Sequence, residues 1–498
     1  MARPSEVIRF GEWLPDLPDL DNPGMVVVKN ALPTAVGYTE VLGPEYLGGV
    51  LDGRPLAAHW TIAGGGTETA IFVATAESIY RQRGVSQAFE AYDWEDLSKS
   101  GGYSSSIDRW DMTSFGSRII AVSRIDPTQF YDVPSGFGVR FADLPNAPKA
   151  GTIGVVRDFV VMGNIPDLGE NYIQWSGFNN SEAWTPSRAT QSDFQPLESG
   201  SGKVQKIISG SDGYIFLEGT IYRMTYIGPP RIFQLDQIAP GRGTRAPKSI
   251  VRFGHLIYFY EHSGFVELDT RSGRIRPIGQ NKVDRWFRNN VPETCAVDMQ
   301  ATIDPSTNNI LWAFCTDPPS TEYNTILLYN YRLDRWSMIS VPLTLAALLP
   351  SPSASLDDLS SIFLQGIDLE SINVDSDLFA GGALVMNVFS SSYQIGTMSG
   401  SPLSASFITA EYGTRMNNRT STKRQRPYMT ILPGQTMAQL CIARRDALSR
   451  QQEPTTFSPM NDSGQTFAKA KARFLQYHLE VSGGFDDVLG LEVFSRVG

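Results

Sequence analysis

Six times along the chain a run of branched-aliphatic and aromatic residues is followed, within about 20 residues, by a second such run, with turn residues between them. The clearest pairs are Ile71-Phe72-Val73 with Ile79-Tyr80, Tyr214-Ile215-Phe216-Leu217 with Ile221-Tyr222, and Leu256-Ile257-Tyr258-Phe259 with Phe265-Val266-Glu267-Leu268. Looser pairs are Ile119-Ile120-Ala121-Val122 with Phe130-Tyr131, Phe159-Val160-Val161-Met162 with Tyr172-Ile173-Gln174-Trp175, and Ile310-Leu311-Trp312-Ala313 with Ile326-Leu327-Leu328. Successive copies are spaced by roughly 40 to 55 residues, the length of a propeller blade. A unit of this kind buries its apolar faces only against its neighbours. The pattern therefore predicts an all-β chain whose main part, 51–400, is a β-propeller of six blades. A further pair, Ile362-Phe363-Leu364 with Leu384-Val385-Met386, makes seven the alternative.

At 498 residues the chain exceeds what one hydrophobic core usually serves. Charged residues make up 19%, below the roughly 25% of ordinary soluble domains, and Gly 45 and Pro 31 fall between the apolar runs, as many short strands require. No apolar stretch approaches the roughly 20 residues of a membrane-spanning helix, and the first 16 residues carry no secretory pattern. Cys295, Cys315 and Cys441 have no CxxC spacing and are expected as buried small hydrophobes in a reduced compartment.

Net charge is −10, which argues against generic nucleic-acid binding through phosphate neutralisation. The balance is uneven: residues 401–498 hold 12 Lys+Arg against 8 Asp+Glu, leaving 30 against 44 for 1–400. Different surfaces imply different domains. Residues 401–498 show longer alternating strands, over 407–412, 428–432, 437–442, 475–481 and 489–494, and are expected to form a β-sandwich-like domain. Residues 1–50 form an extended, proline-punctuated segment that wraps over a surface, with Met25-Val26-Val27-Val28 supplying a ring-closing strand. One short helix is predicted over 280–288, where Val283, Trp286 and Phe287 share a face. The Pro/Ser/Ala/Leu-rich stretch 342–360 is read as an exposed loop or linker. Ser211-Asp212-Gly213 and His262-Ser263-Gly264 are read as tight turns wanting φ > 0.

Chemistry is thinly supplied. His59, His255, His262 and His478 have no metal-ligand spacing, no G-x-S-x-G elbow precedes a helix, and no phosphate-binding G-x-x-x-x-G-K-[ST] occurs. No catalytic residue, cofactor or metal site is expected. Two carboxylate pairs, Glu267 with Asp269 and Asp108 with Asp111, have spacings a glycosidase could use. Trp175 and Trp184 could stack on a sugar. They define the alternative of a carbohydrate-binding or glycan-cleaving propeller for host-surface recognition. The strongest charge feature is Arg415, Arg419, Lys423, Arg424 and Arg426, with no acid among them. Its default reading is a solvated loop, and its functional reading is a contact with an acidic partner or passing DNA.

The order of several phrases resembles the tail nozzle proteins of short-tailed bacteriophages, also called packaged-DNA stabilisation proteins. These phrases include Trp13-Leu14-Pro15-Asp16-Leu17-Pro18, Asn22-Pro23-Gly24, Ala31-Leu32-Pro33 with Gly37-Tyr38, and Val156-Arg157-Asp158-Phe159 running on to Gly163-Asn164. Others are Trp175-Ser176-Gly177, Ile221-Tyr222-Arg223-Met224 with Gly228-Pro229-Pro230, Pro240-Gly241-Arg242-Gly243, Pro277-Ile278-Gly279 and Ala472-Arg473-Phe474-Leu475-Gln476-Tyr477-His478. The resemblance spans nearly the whole chain and transfers no catalytic residue. It implies a propeller core, a virion (phage tail) location after synthesis in the host cytoplasm, and a homohexameric ring. That ring would sit below the portal and its adaptor, continuing the channel through which double-stranded DNA passes. No segment stands out as a docking site for a tail fibre or spike, the further partner such a ring can carry.

Overall fold

In a computed structural model the protein is described over residues 5–63, 68–83, 93–318, 322–350, 384–413, 418–431 and 436–497. It is nearly all β. Seven consecutive antiparallel four-stranded meanders account for most of it. Their first strands are Ala57–Ala63, Asp111–Phe115, Thr152–Val156, Val204–Ile208, Val251–Phe253, Gln300–Asp304 and Leu345–Pro350.

The second strand of each meander is where sequence and burial agree best. Arg118–Val122, Phe159–Ile165, Gly213–Leu217 and Asn309–Phe314 are apolar runs buried on both faces. That is the requirement for a strand sandwiched between two neighbouring sheets. The outermost strand of the third meander, Asp193–Pro196, is exposed at every residue, whereas that of the sixth, Arg335–Ile339, is largely buried.

Neighbouring meanders pack through their first strands. Ala57–Ala63 touches Asp111–Phe115, which touches Thr152–Val156, which touches Val204–Ile208. The fourth and fifth meanders meet through Phe216 on Phe259, with ring centroids 5.1 Å apart. Val251–Phe253 touches Gln300–Asp304, which touches Leu345–Pro350, and Leu345–Pro350 touches Ala57–Ala63.

The seventh meander departs from the sequence reading. Leu345–Pro350, expected inside a loop or linker, is a largely buried strand paired with Leu384–Phe389. Its apolar side chains find neighbours on both sides, and Pro350 sits at the strand end, where a missing N–H costs little. Ile362-Phe363-Leu364 lies outside the described residues. The fourth strand of this sheet is Glu45–Val50, paired with Gln394–Thr397.

The expected ring-closing strand at Met25–Val28 goes elsewhere. Met25–Lys29 lies antiparallel to Ala405–Gly413 and parallel to Arg335–Ile339 at Lys29 and Met338. It thereby joins the sixth meander to Ala405–Gly413, Phe474–Ser482 and Met437–Arg445 in one ten-stranded sheet. A second sheet covers it, ordered Ala31–Pro33, Tyr38–Glu40, Phe485–Val497, Thr420–Ile431 and Ala470–Ala472, with Ser5–Arg9 also on Phe485–Val497. Phe10, Tyr38, Phe407, Leu440, Leu479, Phe485 and Leu491 fill the space between.

The proline-rich opening is likewise no surface wrap. Trp13 is 1% exposed, donates its indole N–H to the Val26 carbonyl (3.0 Å) and meets Trp286 edge to face. The Asp16 carboxylate accepts the backbone N–H groups of Arg285 (3.0 Å) and Trp286 (2.7 Å). It thus supplies the N-terminal cap that the helix Asp284–Asn290 lacks locally. That helix overlaps the one expected over 280–288 but begins four residues later, with Phe287 and the preceding Val283 buried. A second helix, Glu293–Asp298, carries Cys295, which is disulfide-bonded to Cys315. The expectation of three free thiols holds only for Cys441, which is buried. Among the turns, Gly264 has a positive φ of 144°, whereas Ser211-Asp212-Gly213 turns without one.

Candidate functional site

The basic cluster is a strand and not a loop. Lys423, Arg424 and Arg426 lie on Thr420–Ile431, Arg419 immediately precedes it, and Arg415 falls outside the described residues. The run is not one site. Arg419 is held by Asp446 at 2.7 Å. The Arg424 guanidinium lies 3.7 Å from the centre of the Phe494 ring. Lys423 and Arg426 are exposed, and Arg426 sits opposite Glu492.

Three of the four carboxylates proposed for sugar chemistry, Glu267, Asp269 and Asp111, are committed elsewhere, and Asp108 is exposed. Glu267 takes two bonds from Arg276 (3.2 and 3.1 Å). Asp269 caps a turn through the Arg271 N–H (2.9 Å) and the Ser272 hydroxyl (2.7 Å), bonds that hold its carboxyl below the usual range. Asp111 is buried and accepts from Thr152 Oγ1 (2.7 Å), Ile153 N–H (3.2 Å) and Lys206 Nζ (2.5 Å). Trp175 and Trp184 are buried, their indole N–H groups bonded to the Gln191 and Ser181 carbonyls (2.9 and 2.7 Å). Neither offers a face to a sugar. Among the described residues no group of three or more His, Cys, Asp or Glu side chains is placed to hold a metal ion. His59 bonds Ser114 Oγ at 2.7 Å, and burial pushes its pKa down to about 4. It is a neutral structural imidazole near neutral pH.

One feature had no sequence signal. A cavity of about 1230 Å³ opens where segments preceding the first strands converge with the helix Glu293–Asp298. Its lining contains six acidic and six basic side chains, drawn from positions as far apart as Asp52 and Asp298. Half of them form ion pairs: Lys248 with Asp298 (2.9 Å), Arg54 with Asp298 (3.7 Å), Arg245 with Glu293 (3.7 Å) and Arg124 with Glu170 (2.9 Å). Arg109 bonds the Gln205 carbonyl (2.9 Å), and burial lowers its pKa. This is a charge-balanced wall, with none of the single-signed field that would concentrate an ionic ligand. Its residues come from short stretches far apart along the chain, so only the fold brings them together.

No family model matches the chain, and no curated protein matches it. Among solved structures, the extracellular domain of the putative one-component system BT4673 from B. thetaiotaomicron is similar over 78% of this chain and 43% of that chain, at 10% identity and a TM-score of 0.40. The computationally designed Ika8 protein is similar over 78% of this chain and 99% of its own, at 9% identity and a TM-score of 0.38. U3-55K is similar over 62% and 89%, at 10% identity and a TM-score of 0.37. Likeness at this level carries no argument about function. No helix among the described residues is long and apolar enough to cross a membrane.

Proposed function

We propose that the seven meanders close into one seven-bladed β-propeller and that the chain is a structural subunit of a short phage tail. In this reading it is a hexameric nozzle ring that extends the DNA channel, retains the packaged genome and releases it. The observation that carries the reading is the succession of contacts between meanders, through first strands at six joints and through Phe216 on Phe259 between the fourth and fifth, which leaves Ala57–Ala63 in one direction and returns to it from Leu345–Pro350. The phrases that resemble nozzle proteins support it by where they fall, because they occupy joints of the fold. Asn22 Oδ1 accepts the Gly24 N–H (2.8 Å), Ser176 Oγ accepts the Val160 N–H (3.0 Å), and the Arg242 guanidinium forks onto Glu261. A resemblance made of such joints speaks for a shared scaffold.

The charge-balanced cavity is not the DNA duct. The cube root of its volume of about 1230 Å³ is roughly 11 Å, less than the ~12 Å width of the B-DNA major groove alone. A duplex-sized bore therefore has to be formed between copies, through a head-to-tail interface that closes on itself. The test is the native mass of the purified protein together with particle images. Six copies around an open lumen are expected, and a monomer at all concentrations overturns the reading.

A further inference from the structure

The outer face of the C-terminal sheet gathers cations that are far apart in sequence. In Phe485–Val497 the odd positions Leu491 and Val493 are buried, so Glu492, Phe494 and Arg496 face outward. Cross-strand register puts Arg426 opposite Glu492, Arg424 opposite Phe494, Ser421 opposite both Arg496 and Lys471, and Arg9 opposite Gly490. Lys423 is exposed at the irregularity between Thr422 and Arg424. Six bases, Arg9, Lys423, Arg424, Arg426, Lys471 and Arg496, thus share one face on which the outward positions between 490 and 496 carry one acid, Glu492, with Asp486 and Asp487 further along the same strand. None of the six has an ion-pair partner within 4 Å among the described residues, although cations elsewhere in the chain commonly do.

We propose that this face binds the phosphate backbone of duplex DNA. The proposal deepens the nozzle reading and rests on it for the source of the duplex. Four strands about 4.8 Å apart, and seven residues of strand at about 3.3 Å each, give a patch of roughly 14 by 23 Å. A duplex presents a phosphate every ~1.7 Å along its axis, so each cation on such a patch has one within reach. The Phe494 ring beneath Arg424 holds the guanidinium flat and leaves its edge N–H groups free to fork onto phosphate oxygens. A second copy of the chain is the rival occupant. Protein interfaces exclude lysine and charge from their centres, however, whereas nucleic-acid faces concentrate them. The composition of this face therefore favours the duplex.

The experiment measures the affinity of the full-length protein for a labelled duplex of random sequence across a salt series. The double variants Arg424→Gln/Arg426→Gln and Lys471→Gln/Arg496→Gln are each expected to flatten the slope of log K against log salt by about 1.8, from ~0.9 per phosphate contact. Arg419→Gln, whose cation is engaged by Asp446, is expected to leave the slope unchanged. An unaltered slope in both double variants overturns the proposal. So does a change in copy number with duplex affinity intact, which assigns the face to a second copy. Native mass of the wild type reads the ring separately: a ring that ignores the duplex sinks only this inference, and a monomer that binds it sinks only the ring.

Discussion

At the scale of single residues, two buried aspartates pull stability in opposite directions with pH. Asp111 ties three meanders, sitting in the first strand of the second and accepting bonds from Thr152 and Ile153 of the third and Lys206 of the fourth. Burial pushes its carboxyl pKa up, but Lys206 and Arg109 outweigh that and hold it below the ordinary range. Its contribution is complete above the unfolded carboxylate range and is lost as pH falls through the folded value. Asp111→Ala leaves the Lys206 ammonium and two buried donors without their partner. It should cost about 3–5 kcal/mol in urea unfolding at pH 7. Asp284 is the reverse case. It is 7% exposed, accepts the Phe265 N–H at 3.0 Å, and burial raises its pKa to about 6. Between the unfolded value of 3.8 and about 6 the folded state binds more protons, so this contribution is present in acid and lost as pH rises. Asp284→Asn keeps the acceptor and removes the charge. It should therefore raise stability at pH 7–8 by on the order of 2–3 kcal/mol and leave it unchanged below about pH 4, read as a difference of melting curves.

At the scale of elements, legibility followed burial. Strands buried on both faces announce themselves as apolar runs, which is why Phe159–Ile165 and Asn309–Phe314 stand out in the sequence. Strands with a wet face, or without β-branched residues, do not. Ser5–Arg9 has no apolar run, and Leu345–Pro350 hides among prolines, serines and alanines. The basic run was legible as charge, but which of its residues share a face was not. That depends on the irregularity at Lys423 and on partners from three other strands. Ser5–Arg9 is also closely constrained by its partner strand. A Cβ built on Gly490, its cross-strand neighbour, would lie 2.4 Å from the Ile8 carbonyl oxygen. Gly490→Ala should push this strand off the sheet at a cost of roughly 1–3 kcal/mol. Limited proteolysis should then cut near residue 10 in the variant well before the wild type.

At the scale of the whole molecule, the first 50 residues act as a thread through both parts. Glu45–Val50 completes the seventh meander, Met25–Lys29 splices the sixth meander to the C-terminal strands, and Ser5–Arg9 and Tyr38–Glu40 flank Phe485–Val497. The charge shift after residue 400 was legible in the sequence, but its dependence on the N-terminus was not, because pairing across some 400 residues leaves no local pattern. Residues 401–498 expressed alone would expose the edge of Ala405–Gly413 that Met25–Lys29 covers. They would also leave Phe407 without Phe10 and Tyr38, whose rings lie 5.3 and 5.7 Å from it. An uncovered edge beside an uncovered aromatic cluster is a template for aggregation. The isolated segment should therefore be insoluble or lack cooperative unfolding, whereas joining residues 5–43 to it through a flexible linker should restore a soluble, cooperatively melting domain. Cooperative melting of 401–498 without those residues would show that the thread merely decorates a domain already complete.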